Sequence, residues 1–252
     1  MSGSANPESG REVAILDVPT RVGVEEGYKR WAQSYDQGPN PVIAREERYI
    51  ASFLPSLYGK NVLDLACGTG RWLEKLLACE TNYAAGVDVS SAMLRVASRK
   101  SSICDKIVQA DCLELPFASS IFDFVICSFA LGHIRDVRKM VGEVARVTKP
   151  GGEAIVSDLH PEAYARGWRT GFRDTRSAVQ IEAFARMPEE IVRAFHAGGF
   201  ECLTCISLCL GEAEQPIFVS ANKQHKFEEA CQVPAVLVCR FKRCQPPNRV
   251  LT

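Results

Sequence analysis

The chain has 252 residues, 46% of them hydrophobic and 24% charged; this excludes a disordered or collagen-like chain and leaves apolar material for one large domain. Lys+Arg and Asp+Glu both number 30, so the formal net charge is zero, and the balance counts against a partner held through its phosphate backbone. No apolar run reaches a spanning helix of about 18 residues, the opening MSGSANPESGRE carries no apolar leader core, and the final Arg249-Val250-Leu251-Thr252 is no prenylation box, so a cytoplasmic chain without a membrane span is expected.

Residues 1–20, rich in Ser, Gly, Pro and Glu, read as a flexible N-terminal tail. The spacing of Tyr28, Trp31 and Tyr35 predicts an aromatic-faced helix through Asp36, broken at Gly38-Pro39-Asn40-Pro41 and followed by a second helix from Val42 to Leu54. From there strands and helices alternate. Strands are predicted at 61–66, 83–88, 106–110, 124–128 and 153–157, and helices at 72–79, 92–98 and 138–147, with Ser90 or Ser91 as a cap and Pro150-Gly151-Gly152 as a turn. Single-helix crossovers between strands give an α/β, doubly wound, mostly parallel sheet. After a helix at 188–197, strand-like runs at 200–210 and 233–241 flank a polar insert, and the last strand is expected to run antiparallel.

The 11 cysteines fall mostly in apolar runs, as at Cys67, Cys127, Cys205 and Cys239, and read as reduced core thiols. Cys202-Leu-Thr-Cys205 lacks a second CxxC or a nearby His, so no metal site is expected.

The sharpest motif is Val62-Leu-Asp-Leu-Ala-Cys-Gly-Thr-Gly-Arg71, a strand running into Gly-Thr-Gly and then a helix. That order lets main-chain atoms approach a ligand at the strand's carboxyl end. A dinucleotide fingerprint needs a third glycine where Leu73 stands, which argues against NAD, and Asp64 in the strand suits a ligand with an amino group and a sulfonium. Asp88, ending the next strand, has the position to accept both hydroxyls of a ribose, or else caps the following helix. Asp111 and the Cys112 main chain are placed to meet an adenine.

VLDLACGTG, GVDVS, ADCLELPF, FDFVICSFALGHI and RVTKPGG, in this order, resemble the successive motifs of class I S-adenosylmethionine-dependent methyltransferases, in the small-molecule branch that includes ubiquinone- and biotin-pathway enzymes. The resemblance covers residues 22–157 and implies a Rossmann-like seven-stranded sheet with an antiparallel last strand. It implies that Ala66, Gly68, Thr69 and Gly70 contact the methionine part of the cofactor, and that Asp88 and Val89 hold the ribose with Met93 by the adenine. Asp111 and Cys112 then read the adenine, and the run from Ser128 through Phe129 to His133 passes under the sulfur. GYKRWAQSYD is similar to the family's lid helix, with Tyr28, Trp31 and Tyr35 closing over the cofactor. Cys67 stands where glycine is commoner in the family.

A base is needed only for an acceptor that keeps its proton. His133, after the fourth predicted strand, is one candidate, with a loop residue touching backbone or cofactor as the alternative; His160, after the fifth, is the other, with pocket lining as the alternative. Tyr164, Trp168 and Phe172 follow at i, i+4, i+8 with arginines between, either an aromatic ridge for a planar or anionic acceptor or a lid packed on the core.

The expectation is one domain over 21–252: lid helices at 21–57, a cofactor-binding core at 58–157, and an acceptor-side segment with a C-terminal hairpin at 158–252. The 159–186 segment and the 211–232 insert are expected to help build the acceptor pocket. The function read from this is methyl transfer from S-adenosylmethionine to a small organic acceptor. A tRNA or protein methyltransferase and a catalytically silent scaffold subunit stand as alternatives; the oligomeric state stays open.

Overall fold

A computed structural model describes residues 18–175 and 177–245. Most of the expected tail and the extreme C-terminus lie outside these residues, but Thr20 does not belong to a tail: β1, Thr20–Val22, is a strand. α1 spans Val24–Trp31 and continues as a tight turn through Ser34, shorter than the helix predicted to Asp36. α2, Pro41–Ala51, starts where Asn40 accepts the Val42 and Ile43 N–H groups and proline takes the first helical position.

The alternating core follows: β2 Asn61–Leu65, α3 Arg71–Leu77, β3 Tyr83–Asp88, α4 Ser91–Ala97, β4 Ile107–Gln109, β5 Phe122–Ser128 and α5 Val137–Val147. β6 is a long strand, Thr148–Leu159, and the expected Pro150-Gly151-Gly152 turn lies inside it. There the register against β5 slips, and Gly151 takes a left-handed φ of 80°. α6, Pro161–Ala165, β7, Gly171–Arg173, and β8, Ala178–Ile181, come next, then α7, Pro188–Ala197, and β9, Phe200–Cys209. The insert forms two short helices, α8 Gln215–Ser220 and α9 Phe227–Cys231, before β10, Pro234–Arg243.

Seven strands form one sheet in the order β4-β3-β2-β5-β6-β10-β9. The first five are parallel, and β10 runs antiparallel to both neighbours, as the sequence predicts. β2 and β5 read as near-continuous apolar runs because helices cover both faces. α5 shows how: Val137, Met140, Val141, Val144 and Val147 recur at helical spacing and are all buried. On the opposite face α3 buries Trp72, Leu73 and Leu76; each such side chain contributes about 1.5–3 kcal/mol of burial.

The sequence reading misses a second sheet, β1-β8-β7, in which β1 pairs in parallel with β8. The Tyr164/Trp168/Phe172 ridge does not exist as a helical face. α6 ends before Gly167, whose φ is 87°, and Phe172 lies in β7. Cys205 and Cys239 are corrected as well: they are partners across β9 and β10 and form a disulfide. No helix among the described residues is long and apolar enough to cross a membrane.

Candidate functional site

The carboxyl ends of β2, β3, β4 and β5 surround a cavity of about 650 Å³, where open parallel sheets commonly hold ligands. The chain leaves β2 through left-handed residues at Ala66 (φ 56°), Gly68 (φ 56°) and Gly70 (φ 82°). At Gly70 a Cβ would fall 2.2 Å from Ile103 Cδ1, so only glycine fits there. Ala66, Gly68 and Thr69 line the cavity. Gly70 does not; it turns the chain into α3. The buried Thr69 hydroxyl donates to Asp36 at 2.8 Å.

Asp64 accepts the Leu73 N–H at 2.9 Å, in the first turn of α3. Burial pushes its carboxyl up to about 7, against the opposing pull of Arg71 and the Leu73 N–H. Leu73 fills the place of a third fingerprint glycine and is fully buried. The close helix–sheet approach is supplied from the other side, since a Cβ on Gly86 of β3 would lie 2.8 Å from Leu73 Cδ2.

Asp88 spans two loops. One carboxylate oxygen accepts the Gly68 N–H at 2.8 Å and the other the Ser90 N–H at 2.7 Å. The cap of α4 is Ser90, whose hydroxyl accepts the Met93 N–H, so Asp88 is not merely a cap. Burial raises its pKa and the two N–H bonds oppose that rise; a carboxylate so bonded still has lone pairs to offer. Val89, Met93, Asp111 and Cys112 complete this side of the cavity. Asp111 accepts the Leu113 N–H at 2.9 Å. Burial, then the Asp111 charge, push the Cys112 thiol up to about 12, which makes it inert.

α1 roofs the cavity with Tyr28, and Tyr35 follows from the turn after it. The helix sits close to β8 because Gly27 faces Ile181, whose Cγ1 would be 2.6 Å from an added Cβ. Trp31 does not line the cavity; it stacks on Phe172 at 5.1 Å and meets Tyr35 at 4.8 Å, bracing the roof from behind. Phe129, at φ 52°, and His133 line the wall after β5. Tyr28 Oη is 2.9 Å from His133 Nε2, and His133 Nδ1 is 2.9 Å from the Glu182 carbonyl. Burial holds His133 below its usual pKa.

His160 does not reach this cavity. It is the N-cap of α6, with Nδ1 accepting the Glu162 N–H and Nε2 against Ser207 Oγ at 2.9 Å, so both ring nitrogens are engaged in the scaffold. The expected place of His160 on the acceptor side does not bring it to this cavity. The insert also stays away: Glu214 pairs with Arg48 of α2, and Leu210 and Ala230 pack into the core beside Ile50. No described residue of 159–186 lines the cavity either, though Glu182 reaches its wall through His133.

The sequence reading misses Glu46. It sits in α2 on the apolar stripe with Val42 and Ile50, is fully buried, and lies behind the cavity floor. Its carboxylate accepts from Ser128 Oγ at 2.7 Å, Ser157 Oγ at 2.8 Å, Arg71 Nη2 at 3.1 Å and Trp72 Nε1 at 3.2 Å. Arg71 also donates to Ser128 at 2.8 Å. The i, i+4 placement between two apolar residues is the only sequence signal for it. Around the cavity itself, Glu25, Asp64, Asp88 and Asp111 outnumber Arg71 and Arg135. Among the described residues no group of His, Cys, Asp and Glu is arranged to hold a metal ion.

Residues 62–152 match a family profile described as a methyltransferase domain. The chain is 38% identical over 111 residues to the demethylmenaquinone methyltransferase of Bacillus licheniformis, covering 42% of this chain and 48% of that protein. It is 43% identical over 103 residues to the enzyme of the same name from Corynebacterium urealyticum, covering 40% and 42%. The matches thus span about half the length of these curated relatives. Among solved structures, an S-adenosylmethionine-dependent methyltransferase from Mesorhizobium loti superposes with a TM-score of 0.63 at 21% identity, over 81% of this chain and all of that one. A chain from the Haloferax volcanii complex of the Trm112 methyltransferase activator with a methyltransferase gives a TM-score of 0.68 at 17% identity, over 90% and 100%. Residues 62–152 thus match a methyltransferase-domain profile, and the fold is that of solved S-adenosylmethionine-dependent methyltransferases.

Proposed function

We propose that the cavity binds S-adenosylmethionine and that the chain transfers a methyl group from it to a small organic acceptor. The observation that carries this is the Asp88 bridge. A buried carboxylate holds the glycine loop by the Gly68 N–H while keeping lone pairs at the tip of β3, within a cavity where carboxylates predominate. An acidic lining suits a ligand with a sulfonium and an ammonium group far better than a dinucleotide, and the volume lies within the usual 300–1,000 Å³ range of ligand pockets.

In this reading Asp88 and Val89 hold the ribose, and Met93, Asp111 and Cys112 surround the adenine. Ala66, Gly68 and Thr69 follow the methionine chain, with Asp64 toward its ammonium. When bound, the cofactor supplies a methyl group on a good leaving sulfur. The protein's own work is to align the acceptor and exclude water. Tyr28 and Tyr35 close the roof, and Glu46 keeps Arg71 and Ser128 in place below. A planar acceptor fits this reading: Tyr28, Tyr35 and Phe129 line the cavity together with Arg135, which can meet a carbonyl or carboxylate. Relatives 38% and 43% identical over the matched core are named demethylmenaquinone methyltransferases.

Calorimetry with S-adenosylmethionine and S-adenosylhomocysteine, followed by transfer of labelled methyl to a panel of aromatic and quinol acceptors, tests the proposal. Binding with transfer supports it. No affinity for either compound by the folded protein refutes it, and binding without any transfer moves the reading to a silent scaffold.

A further inference from the structure

The bond between Tyr28 and His133 has a fixed direction. The Glu182 carbonyl only accepts, so the ring proton of His133 sits on Nδ1. Burial keeps the imidazole neutral, which leaves a lone pair on Nε2. The Tyr28 hydroxyl therefore donates to Nε2 at 2.9 Å, and its oxygen has its own lone pairs left for another partner. Both side chains line the cavity, reaching it from separate elements, α1 and the turn after β5. Glu182 follows directly on β8, and its own N–H is tied to the Val22 carbonyl of β1 at 2.9 Å. The small sheet thereby fixes the orientation of the imidazole.

We propose that Tyr28 and His133 form a proton relay that deprotonates the methyl acceptor, and that the acceptor is an O–H or C–H acid such as a phenol, a hydroquinone or an enol. The inference rests on the methyl-transfer reading above. As the acceptor's oxygen or carbon bonds to the methyl carbon, the carbon–sulfur bond breaks with its electron pair on sulfur. The acceptor's proton passes to Tyr28 Oη, and Tyr28's proton passes to His133 Nε2, leaving an imidazolium that donates to Tyr28 and to the Glu182 carbonyl. Tyr28 is the catalytic residue, and His133 acts through it. An amine that arrives already neutral has no use for such a relay. The titratable and charged groups around the pair are Tyr35, Asp88, Asp158 and Tyr164, with Glu25 and Arg135 lining the same cavity.

The test uses the protein saturated with S-adenosylhomocysteine and, as probe, 4-nitrophenol, whose phenolate absorbs separately from its phenol. Binding of S-adenosylhomocysteine is measured first; if it fails, the cofactor reading fails, and the relay with it. With that complex formed, bound 4-nitrophenol is expected as phenolate in slightly acid buffer. Its binding heat should not depend on the buffer's ionisation enthalpy, because the proton stays on the protein. The fraction of bound probe present as phenolate should fall at least tenfold in Tyr28→Phe and in His133→Gln, a ratio that does not depend on how tightly each variant binds. ¹⁵N-imidazole spectra should show His133 as the Nδ1–H tautomer. Failure of the probe to bind, neutral phenol in the unmodified protein, an unchanged phenolate fraction in both variants, or the Nε2–H tautomer would each overturn the relay while leaving the cofactor reading intact.

Discussion

Asp88 Oδ2 accepts the Gly68 N–H at 2.8 Å, so the end of β3 and the glycine loop after β2 are one piece. Asp88→Ala removes the loop's anchor and, in the proposed reading, the acceptor of the ribose hydroxyls together. The expected loss is roughly 1.5–3 kcal/mol, about one to two orders of magnitude in Kd for S-adenosylhomocysteine. Calorimetry checks it, and an unchanged Kd would confine Asp88 to shaping the loop.

Asp64 gives a pH signature. Its carboxyl lies at about 7 in the folded chain against 3.8 ordinarily, and burial is the main cause. The native state therefore holds a proton that the unfolded chain has released. The resulting penalty is absent below about pH 4, grows as pH rises to about 7, and is then constant. A cationic ligand favours the ionised form. Affinity for S-adenosylmethionine is thus expected to rise as pH increases toward 7 and to level off above it, with proton release on binding below that point. In Asp64→Asn this part of the pH dependence should vanish; an identical profile in the variant would remove Asp64 from the ligand's surroundings.

Glu46→Ala leaves the Trp72 N–H and two serine hydroxyls without this acceptor in the interior, and the Arg71 guanidinium with Glu47 as its remaining carboxylate. A loss of about 1–3 kcal/mol is expected in urea unfolding, the usual cost of leaving buried donors without a partner. Glu46→Gln keeps the shape but turns an amide N–H₂ toward these donors, and should fall between the two.

His160→Ala is expected to lower stability by about 1 kcal/mol through loss of the α6 cap. Thermal unfolding measures this. Affinity for S-adenosylhomocysteine should stay as it is, because the side chain does not reach the cavity.

The sheet is legible from the sequence because each buried strand is a short apolar run bounded by glycine, serine or aspartate. Strand Tyr83–Asp88 and helix Pro188–Ala197 fall where the pattern puts them. Twelve residues expected around the cofactor, from Tyr28 to His133, line one cavity, since each lies at or just beyond a strand tip or on the roof. Trp31 and Gly70 belong to the same segments but turn the other way, and spacing alone does not reveal that. The β1-β8-β7 sheet escapes notice because two of its strands are three residues long and show no period. The Cys205–Cys239 pairing depends on a register between strands 34 residues apart in sequence. His160 directly precedes Pro161, the pattern of a helix start, where a polar side chain turns back onto its own backbone.

Among the described residues β1 and β8 are joined over three residue pairs, and such a seam on its own is a weak fastener. Yet through Glu182 and His133 the seam reaches the roof of the cavity. Peeling back the stretch just before α1 would loosen the imidazole's anchor and Tyr28 in one movement, at small cost because so little pairing is lost. Occupancy and closure are then reciprocal: whatever a guest gains by holding Tyr28 down also fastens the seam, and a tighter seam retains the guest for longer.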